Sequence, residues 1–201
     1  ENRYTPETDF PKFTNIATQL GLDTFSLCGG MIVDDLNGDN WLDVVTSSWD
    51  TSVQMQCWLN NQDGTFSAHT DESGLTGLFG GLNMIQADYD NDGDVDILVL
   101  RGAWLREFGR HPNSLLQNDG HARFRDVTFD AGLGENHYPT QSAAWGDYDN
   151  DGDLDLYIAN EIGDSELFEN DGRGHFTNVA LKAGVTGGRY PKGVVWGDYD
   201  N

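Results

Sequence analysis

The chain has 201 residues, 37% hydrophobic and 11% aromatic, with a formal net charge of −23 and an isoelectric point near 4.1. Such a surplus of acid argues against nucleic-acid binding, which needs cationic side chains to neutralise phosphates, and against docking on anionic membranes. No apolar run approaches the roughly 20 residues that cross a bilayer, so direct membrane insertion is not expected.

The first predicted unit follows a polar lead-in of residues 1–12. A strand is predicted from Phe13 to Ala17, and it would be a lone fourth strand without its partners. Further strands are predicted at 30–33, 42–47 and 53–59, with a fourth opening at Phe66. The intervening residues 60–64 end in Asp-Gly, which favours a hairpin turn.

The same order of elements recurs along the chain. The third unit is predicted to contain strands at 142–145, 154–159, 166–169 and 175–179, with an acidic loop after the first and an Asn-Asp-Gly turn after the third. A Phe-to-Gly-Leu marker starts at Phe13, Phe66, Phe124 and Phe176, with spacings of 53, 58 and 52 residues. The acidic loops are spaced by 53, 59 and 51 residues, so two independent markers share one period.

These units predict an all-β fold, a β-propeller of four-stranded blades with no clear helix. The strand after each acidic loop is apolar on both faces, as in Val95 to Leu100, which is typical of a sheet held between two neighbours. We expect one domain over 1–201, a partial propeller of about three and a half units. The chain ends within a fourth loop at 198–201, so a longer protein is expected.

Calcium is the predicted ligand of the acidic loops. Oxygen ligands at positions 1, 3, 5 and 9, with a carbonyl at position 7 and a residue tolerant of positive φ at position 6, suit Ca²⁺ better than Mg²⁺. The loops begin like EF-hand loops but lead into strands and lack Glu at position 12. Three Ca²⁺ sites and a truncated fourth are predicted. Their candidate ligands are Asp35, Asn37, Asp39, Trp41 and Asp43 in loop 1 (35–43); Asp88, Asp90, Asp92, Asp94 and Asp96 in loop 2 (88–96); Asp147, Asp149, Asp151, Asp153 and Asp155 in loop 3 (147–155); and Asp198 and Asp200 in the last.

Other residues have simpler interpretations. The acids of the Asn-Asp-Gly segments at 118–120 and 170–172 are interpreted as turn residues. Trp145 and Trp196 precede their loops and are expected to pack between blades, whereas one or two of the remaining tryptophans could be exposed. Cys28 and Cys57 could form a disulfide or remain as two buried thiols.

The loops, the period and the Phe-to-Gly-Leu markers together resemble the FG-GAP/VCBS repeat family, the calcium-binding propeller repeats of integrin α-subunits and many secreted bacterial proteins. The segment 144–160, Ala-Trp-Gly-Asp-Tyr-Asp-Asn-Asp-Gly-Asp-Leu-Asp-Leu-Tyr-Ile-Ala-Asn, is similar to the branch that includes the cartilage acidic protein and the ASPIC/UnbV-type proteins. The resemblance covers essentially the whole chain. It implies a propeller, typically of seven blades, with Ca²⁺ in a hairpin loop between adjacent strands of a blade.

The expected function is a non-catalytic binding or adhesion module located outside the cell, on its surface or in the periplasm. Its partner would be an extracellular protein or a polysaccharide, and self-assembly on a surface is an option. The alternatives are a polysaccharide lyase or hydrolase built on a propeller and a structural subunit of a surface layer or filament. The sequence contains no HExxH, GxSxG or CxxC motif, which favours the module over the enzyme.

Overall fold

The structure, a computed structural model, describes residues 13–22, 28–187 and 190–198. In this part of the chain, twelve strands form three antiparallel sheets, each made of four consecutive strands in chain order. Sheet 1 contains β1 (Cys28–Asp34), β2 (Asp43–Ser48), β3 (Gln56–Asn60) and β4 (Phe66–Ala68). Sheet 2 contains β5 (Asn83–Ala87), β6 (Asp96–Leu100), β7 (Ser114–Asn118) and β8 (Phe124–Asp126). Sheet 3 contains β9 (Thr140–Gly146), β10 (Asp155–Asn160), β11 (Glu166–Asn170) and β12 (Phe176–Asn178). The predicted four-stranded unit is confirmed.

The sheets pack face to face, and β6 shows why this sequence requires a neighbour on each side. All five of its residues are buried. Ile97 and Val99 belong to the core shared with sheet 1, whereas Leu98 and Leu100 belong to the core shared with sheet 3. Because successive side chains of a strand point to opposite faces, an uninterrupted apolar run fills two interfaces. The predicted sandwiching of this strand is confirmed.

The Phe-to-Gly-Leu marker has two structural parts that interlock neighbouring sheets. Its Phe opens the fourth strand of one sheet, and its Gly ends a turn that contacts the next sheet. The Phe124 N–H donates to the Ser73 carbonyl over 2.9 Å, and the adjacent Gly74 has a φ of 74°. A Cβ on Gly74 would lie 2.8 Å from the Phe124 carbonyl oxygen, so both the backbone conformation and the close approach require glycine here.

Two details of the prediction are wrong. Residues 13–16 have no regular structure, and α1 (Ala17–Leu20) follows them instead of a strand. The Phe13 side chain is fully exposed, and no described strand lies beside it to provide a ladder of hydrogen bonds. The expectation of no clear helix also fails, because α2 (Ala180–Ala183) repeats α1 and a 3₁₀ helix, η1 (Ala103–Phe108), follows β6.

The tryptophans and cysteines mostly follow expectation. Trp145 stacks on Tyr89 with ring centroids 6.0 Å apart, between sheets 2 and 3. Trp196 is partly exposed and donates its indole N–H to the Ala144 carbonyl over 3.1 Å. Trp41 and Trp49 are exposed, whereas Trp58 is buried. Cys57 is a free, buried thiol, and burial raises its pKa to about 12; the Cys28 side chain lies outside the described residues.

Candidate metal centre

Each acidic loop joins the first and second strands of its sheet and contains two left-handed residues. In loop 2 these are Asn91 (φ 59°) at position 4 and Gly93 (φ 95°) at position 6. Asn and Gly are the residues that best tolerate this conformation. The left-handed residue at position 6 confirms the prediction. The one at position 4 escapes sequence reasoning, although every loop offers Gly or Asn there. The equivalent residues are Gly38 (76°) and Asn40 (67°) in loop 1, and Asn150 (61°) and Gly152 (98°) in loop 3.

The carboxylate at position 1 holds the loop closed through backbone hydrogen bonds. In loop 2, Asp88 accepts from the N–H groups of Asp92 over 3.1 Å and Gly93 over 3.0 Å. Asp147 of loop 3 accepts from the equivalent groups of Asp151 and Gly152. A charged acceptor facing backbone donors makes a strong hydrogen bond. Position 1 therefore shapes the loop in addition to offering oxygen to a cation.

The carboxylate at position 9 is buried and joins the loop to the third strand. Asp96 is 1% exposed, and its two oxygens accept from the N–H groups of Tyr89 at 3.4 Å and Asn118 at 2.8 Å. Burial raises the pKa of Asp96 to about 8, and the nearby Asp90 adds to the rise. Burial also raises the pKa of Asp43 and of Asp155, the equivalent carboxyls in loops 1 and 3.

Two groups of three carboxylates converge in the described residues. In loop 2, oxygens of Asp88, Asp90 and Asp96 all lie within 4.8 Å of one another; in loop 3 the same is true of Asp147, Asp149 and Asp151. The Asp90 Oδ1 atom is buried and has no hydrogen-bond partner. A buried oxygen without a donor is costly unless a cation or another donor compensates it. Loop 2 therefore fits a hard cation on both observations, and loop 3, whose three carboxylates are exposed, fits one on their convergence alone.

Loop 1 arranges its predicted ligands differently. Asn37 and Asp39 bind each other, because the Asn37 amide donates to Asp39 Oδ2 over 3.3 Å and the Asp39 N–H donates to Asn37 Oδ1 over 3.1 Å. The Trp41 N–H donates to Asp39 Oδ1 over 2.8 Å. Among the described residues, loop 1 forms no cluster of three acids of the kind seen in loops 2 and 3. Its fit to a cation is correspondingly poorer.

The acids at position 7 of loops 2 and 3 turn their side chains toward neighbours. Asp153 Oδ1 accepts from the Asn91 amide over 2.9 Å, which links loop 3 to loop 2. The Asp94 carboxylate lies against Gly120 of the β7–β8 hairpin. These positions can offer a metal only the backbone carbonyl that the prediction assigned to them. In the final loop, Asp198 is exposed and Asp200 lies outside the described residues.

Buried asparagines at the end of the third strand are site residues that sequence reasoning missed. The Asn118 amide donates to the Leu36 carbonyl of loop 1 over 2.9 Å and to the Val95 carbonyl of loop 2 over 3.2 Å. Asn170 repeats both contacts with Tyr89 and Leu154 over 2.8 and 3.1 Å. Each asparagine thus ties one loop to the loop of the neighbouring sheet. The sequence does contain a signal for these residues, because Asn recurs at 60, 118 and 170, but the pattern is interpreted only as part of a turn.

Four-stranded antiparallel sheets that stack face to face, each with an acidic loop between its first two strands, define a protein built of β-propeller blades. The model of the FG-GAP-like repeat family matches residues 35–99 and 147–201, and both matches begin at position 1 of an acidic loop. These matches cover more than half of the chain, which therefore belongs to the FG-GAP-like repeat family. No curated protein matches this chain.

Membership of this family carries two general expectations. FG-GAP-like repeats often bind Ca²⁺ and are typical of extracellular or surface proteins. The finer resemblance to the cartilage acidic protein branch stays a prediction. None of the described helices is long and apolar enough to cross a membrane.

Proposed function

We propose that this chain is part of an extracellular, calcium-binding β-propeller that acts as a non-catalytic binding or adhesion module. The observation that carries the proposal is the convergence of Asp88, Asp90 and Asp96, in which a buried Asp90 oxygen has no donor. Loop 3 supports it with a second cluster in an equivalent loop. Repetition in a frame fixed by backbone hydrogen bonds favours a binding site over a chance grouping of acids.

Calcium is the ion that suits this donor set. The candidate ligands are carboxylate and carbonyl oxygens without imidazole or thiolate, which excludes the ligands that Zn²⁺ prefers. Ca²⁺ accepts a flexible shell of six to eight oxygens, whereas Mg²⁺ demands a strict octahedron. In loop 2, Asp88, Asp90, Asp92 and Asp96 would hold the ion, with the Asp94 carbonyl. In loop 3, the equivalent set is Asp147, Asp149, Asp151 and Asp155 with the Asp153 carbonyl.

The bound ion would supply positive charge where carboxylates crowd. That charge would hold the loop between the first and second strands rigid. The Asn118 and Asn170 amides each bond two neighbouring loops, so the ordering of one loop would also restrain the other. An ion that binds only the folded chain raises the free energy of unfolding by about 2.7 kcal/mol at a hundredfold excess over its Kd. The proposed role of calcium is therefore structural, and it prepares a rigid surface for a partner.

The test compares thermal unfolding of the chain in calcium and in chelator. We expect wild-type Tm to rise in calcium, and we expect Asp90→Asn to lose a large part of that rise because it removes the carboxylate whose oxygen lacks a donor. Isothermal titration would give the number of ions bound. The loop 3 cluster should still respond in the variant, so a partial rather than a complete loss is expected.

The matched control is Asp119→Asn, which makes the same chemical change in the nearby hairpin. Asp119 accepts a hydrogen bond from the His121 N–H over 3.0 Å, and an asparagine oxygen can do the same. Its calcium response should equal that of wild type. Identical melting curves for wild type in calcium and in chelator would contradict a structural calcium.

A further inference from the structure

At the edge of the sheets opposite the acidic loops, the connection between the second and third strands is longer in sheet 2 than in the other two sheets. Residues 101–113 join β6 to β7, whereas the equivalent connections in sheets 1 and 3 are the shorter segments 49–55 and 161–165. This insertion accounts for the longer spacing of 58 residues between Phe66 and Phe124. Loops that lengthen on a rigid scaffold are common places for binding sites.

The inserted loop is folded rather than loose. Gly102 and Gly109 pinch its base so closely that a Cβ on either glycine would overlap the carbonyl oxygen of the other. Between them lies η1, and inside it Arg106 adopts a positive φ of 52°. Beyond the pinch, Asn113 donates its amide to the Thr140 hydroxyl over 2.9 Å. The loop therefore presents its side chains from a fixed backbone.

A cavity of about 400 Å³ lies between this loop, residues 77–80 and Thr51. Arg101 lines it and is only 8% exposed. Its Nε donates to the Phe79 carbonyl over 3.0 Å, and its Nη1 donates to the Pro112 carbonyl over 3.1 Å and to the Ser114 hydroxyl over 2.6 Å. All three acceptors are neutral.

The guanidinium of Arg101 has N–H donors that form no hydrogen bond within the described residues. It carries five N–H groups, and the three hydrogen bonds leave the two on Nη2 without a partner among the described residues. In the same part of the chain, no carboxylate lies within ion-pair distance of Arg101. Among the described residues, Asp126 is the one acid lining the cavity, and its Oδ1 accepts from the Thr128 N–H and hydroxyl. Burial lowers the pKa of Arg101, and the charge of Asp126 opposes that fall without an ion pair between the two side chains. A buried cation whose hydrogen bonds all go to neutral acceptors is costly, and an anionic ligand would offset that cost.

Aromatic side chains lie beside this cation. Trp104 lines the cavity and meets Trp49 of sheet 1 edge to face, with centroids 6.5 Å apart. Phe79 lines it as well and is 45% exposed, and Trp49 is 41% exposed. Phe79 and Trp104 thus give the cavity an aromatic wall, with Trp49 beside Trp104, and such a wall suits the flat, apolar face of a ligand.

The local charge is opposite to that of the molecule as a whole. Three of the chain's 11 basic residues lie within 101–110, at Arg101, Arg106 and Arg110, beside a single acid, Glu107. Arg110 lies over the Tyr138 ring at 5.7 Å, which fixes its position near the sheet 2 to sheet 3 connection. A basic segment in a chain of net charge −23 favours an anion at this edge.

We propose that this cavity binds an acidic saccharide, with a uronate carboxylate on Arg101 and the sugar ring against Trp104. With Nε and Nη1 already bonded, Nη2 keeps an N–H that can donate to one oxygen of a carboxylate, and the aromatic wall suits the C–H face of a pyranose. The inference rests on the proposed function as a binding module, and it supplies that module with a ligand class and a surface.

The experiment titrates the full chain, at saturating calcium, with a tetrasaccharide that alternates glucuronate and N-acetylglucosamine. The matched ligand is its methyl ester, which keeps the rings and removes the charge. We expect calorimetry to give a Kd below about 1 mM for the acid and no binding for the ester. Trp104→Ala should weaken binding at least about tenfold. Arg101→Lys should weaken it too, because the three acceptors that Arg101 serves would take all three N–H groups of a lysine and leave none for the carboxylate.

Arg125→Ala is the control, because Arg125 is exposed and pairs with Asp130 outside the cavity. It should bind like wild type. Equal binding of the ester, unchanged binding by Trp104→Ala, or binding of inorganic phosphate or an acidic peptide in place of the saccharide would each overturn the proposal. Melting curves recorded in parallel separate the two ideas. If the wild-type chain bound no saccharide but kept its calcium response, only this site would be refuted; if it bound the saccharide but showed no calcium response, only the structural calcium would be refuted.

Discussion

In loop 1 and loop 2 the buried carboxylate at position 9 accepts hydrogen bonds from equivalent backbone groups. Asp43 takes them from Leu36 over 3.2 Å and from Asn60 over 2.9 Å, and Asp96 takes them from the matching residues of loop 2. The left-handed residues at positions 4 and 6 also coincide. The two loops therefore share one frame, whose hydrogen bonds lie within the chain itself.

The side chains inside that frame differ at position 3. Asp90 of loop 2 has a buried oxygen without a donor, whereas Asn37 of loop 1 exchanges hydrogen bonds with Asp39. An amide carries its own donor, so it can satisfy a neighbouring carboxylate that another acid would repel. The comparison teaches that the loop's shape and its capacity for a cation are separable. The shape of the loop depends on positions 1, 4, 6 and 9, and its capacity for a cation depends on position 3.

The largest effect should come from breaking the shared frame. Asp96→Ala leaves two buried N–H groups without an acceptor, and we expect it to lower the free energy of unfolding by about 3 kcal/mol. Asp43→Ala should cost a similar amount, because its two hydrogen bonds are equivalent. Urea unfolding in chelator measures both, so that no ion contributes.

Asp92→Ala provides the contrast within loop 2, because Asp92 is exposed and its main contact is with the Asp94 N–H. In chelator it should cost less than about 1 kcal/mol. If Asp96→Ala proved as mild as Asp92→Ala while Asp43→Ala did not, the idea of one frame common to both loops would be wrong.

A smaller effect is expected at the asparagine that ends each third strand. Asn118 is buried and its amide reaches two loops, whereas the Asn60 amide makes one 3.2 Å bond to Leu42 of its own loop. Asn118→Ala should therefore lower the free energy of unfolding by about 2 kcal/mol and Asn60→Ala by about 0.5 kcal/mol. Denaturant midpoints with unchanged slopes would measure the difference. Equal losses would mean that the contact between loops does not stabilise sheet 2.

The sequence is sufficient for the repeat because its signals are local and occur several times. Acidic loops, apolar strands and Asp-Gly turns each lie within a few residues, and a common period connects them. The marker beginning at Phe13 misleads for the same reason. Its apolar spacing favours a strand locally, but a strand forms only where a neighbour supplies hydrogen bonds, and a helical turn forms next to it instead.

Contacts between units are the part that the sequence could not predict. The Asn118 amide reaches Leu36, 82 residues away, and nothing near Asn118 indicates that partner. The cavity beside Arg101 is lined by segments that are distant in sequence. The longer repeat spacing indicates an insertion but does not show where in the unit the inserted residues lie. Likewise, the change from acid to amide at position 37 is visible in the sequence, but its hydrogen bonds to Asp39 are not.

The smallest and most specific test of the comparison converts loop 1 toward loop 2. Asn37→Asp removes the amide donor and puts a third carboxylate beside Asp35 and Asp39, so the variant should lose a few tenths of a kcal/mol in chelator through repulsion. In calcium the variant should exceed wild type by about 1 kcal/mol, because a roughly tenfold tighter site adds about 1.4 kcal/mol at saturation and the repulsion removes a few tenths. The difference in Tm between calcium and chelator should thus widen in Asn37→Asp and narrow in the reciprocal Asp90→Asn. If both substitutions moved that difference in the same direction, position 3 could not be the residue that separates the two loops. The cation response would then have to originate in the frame that they share.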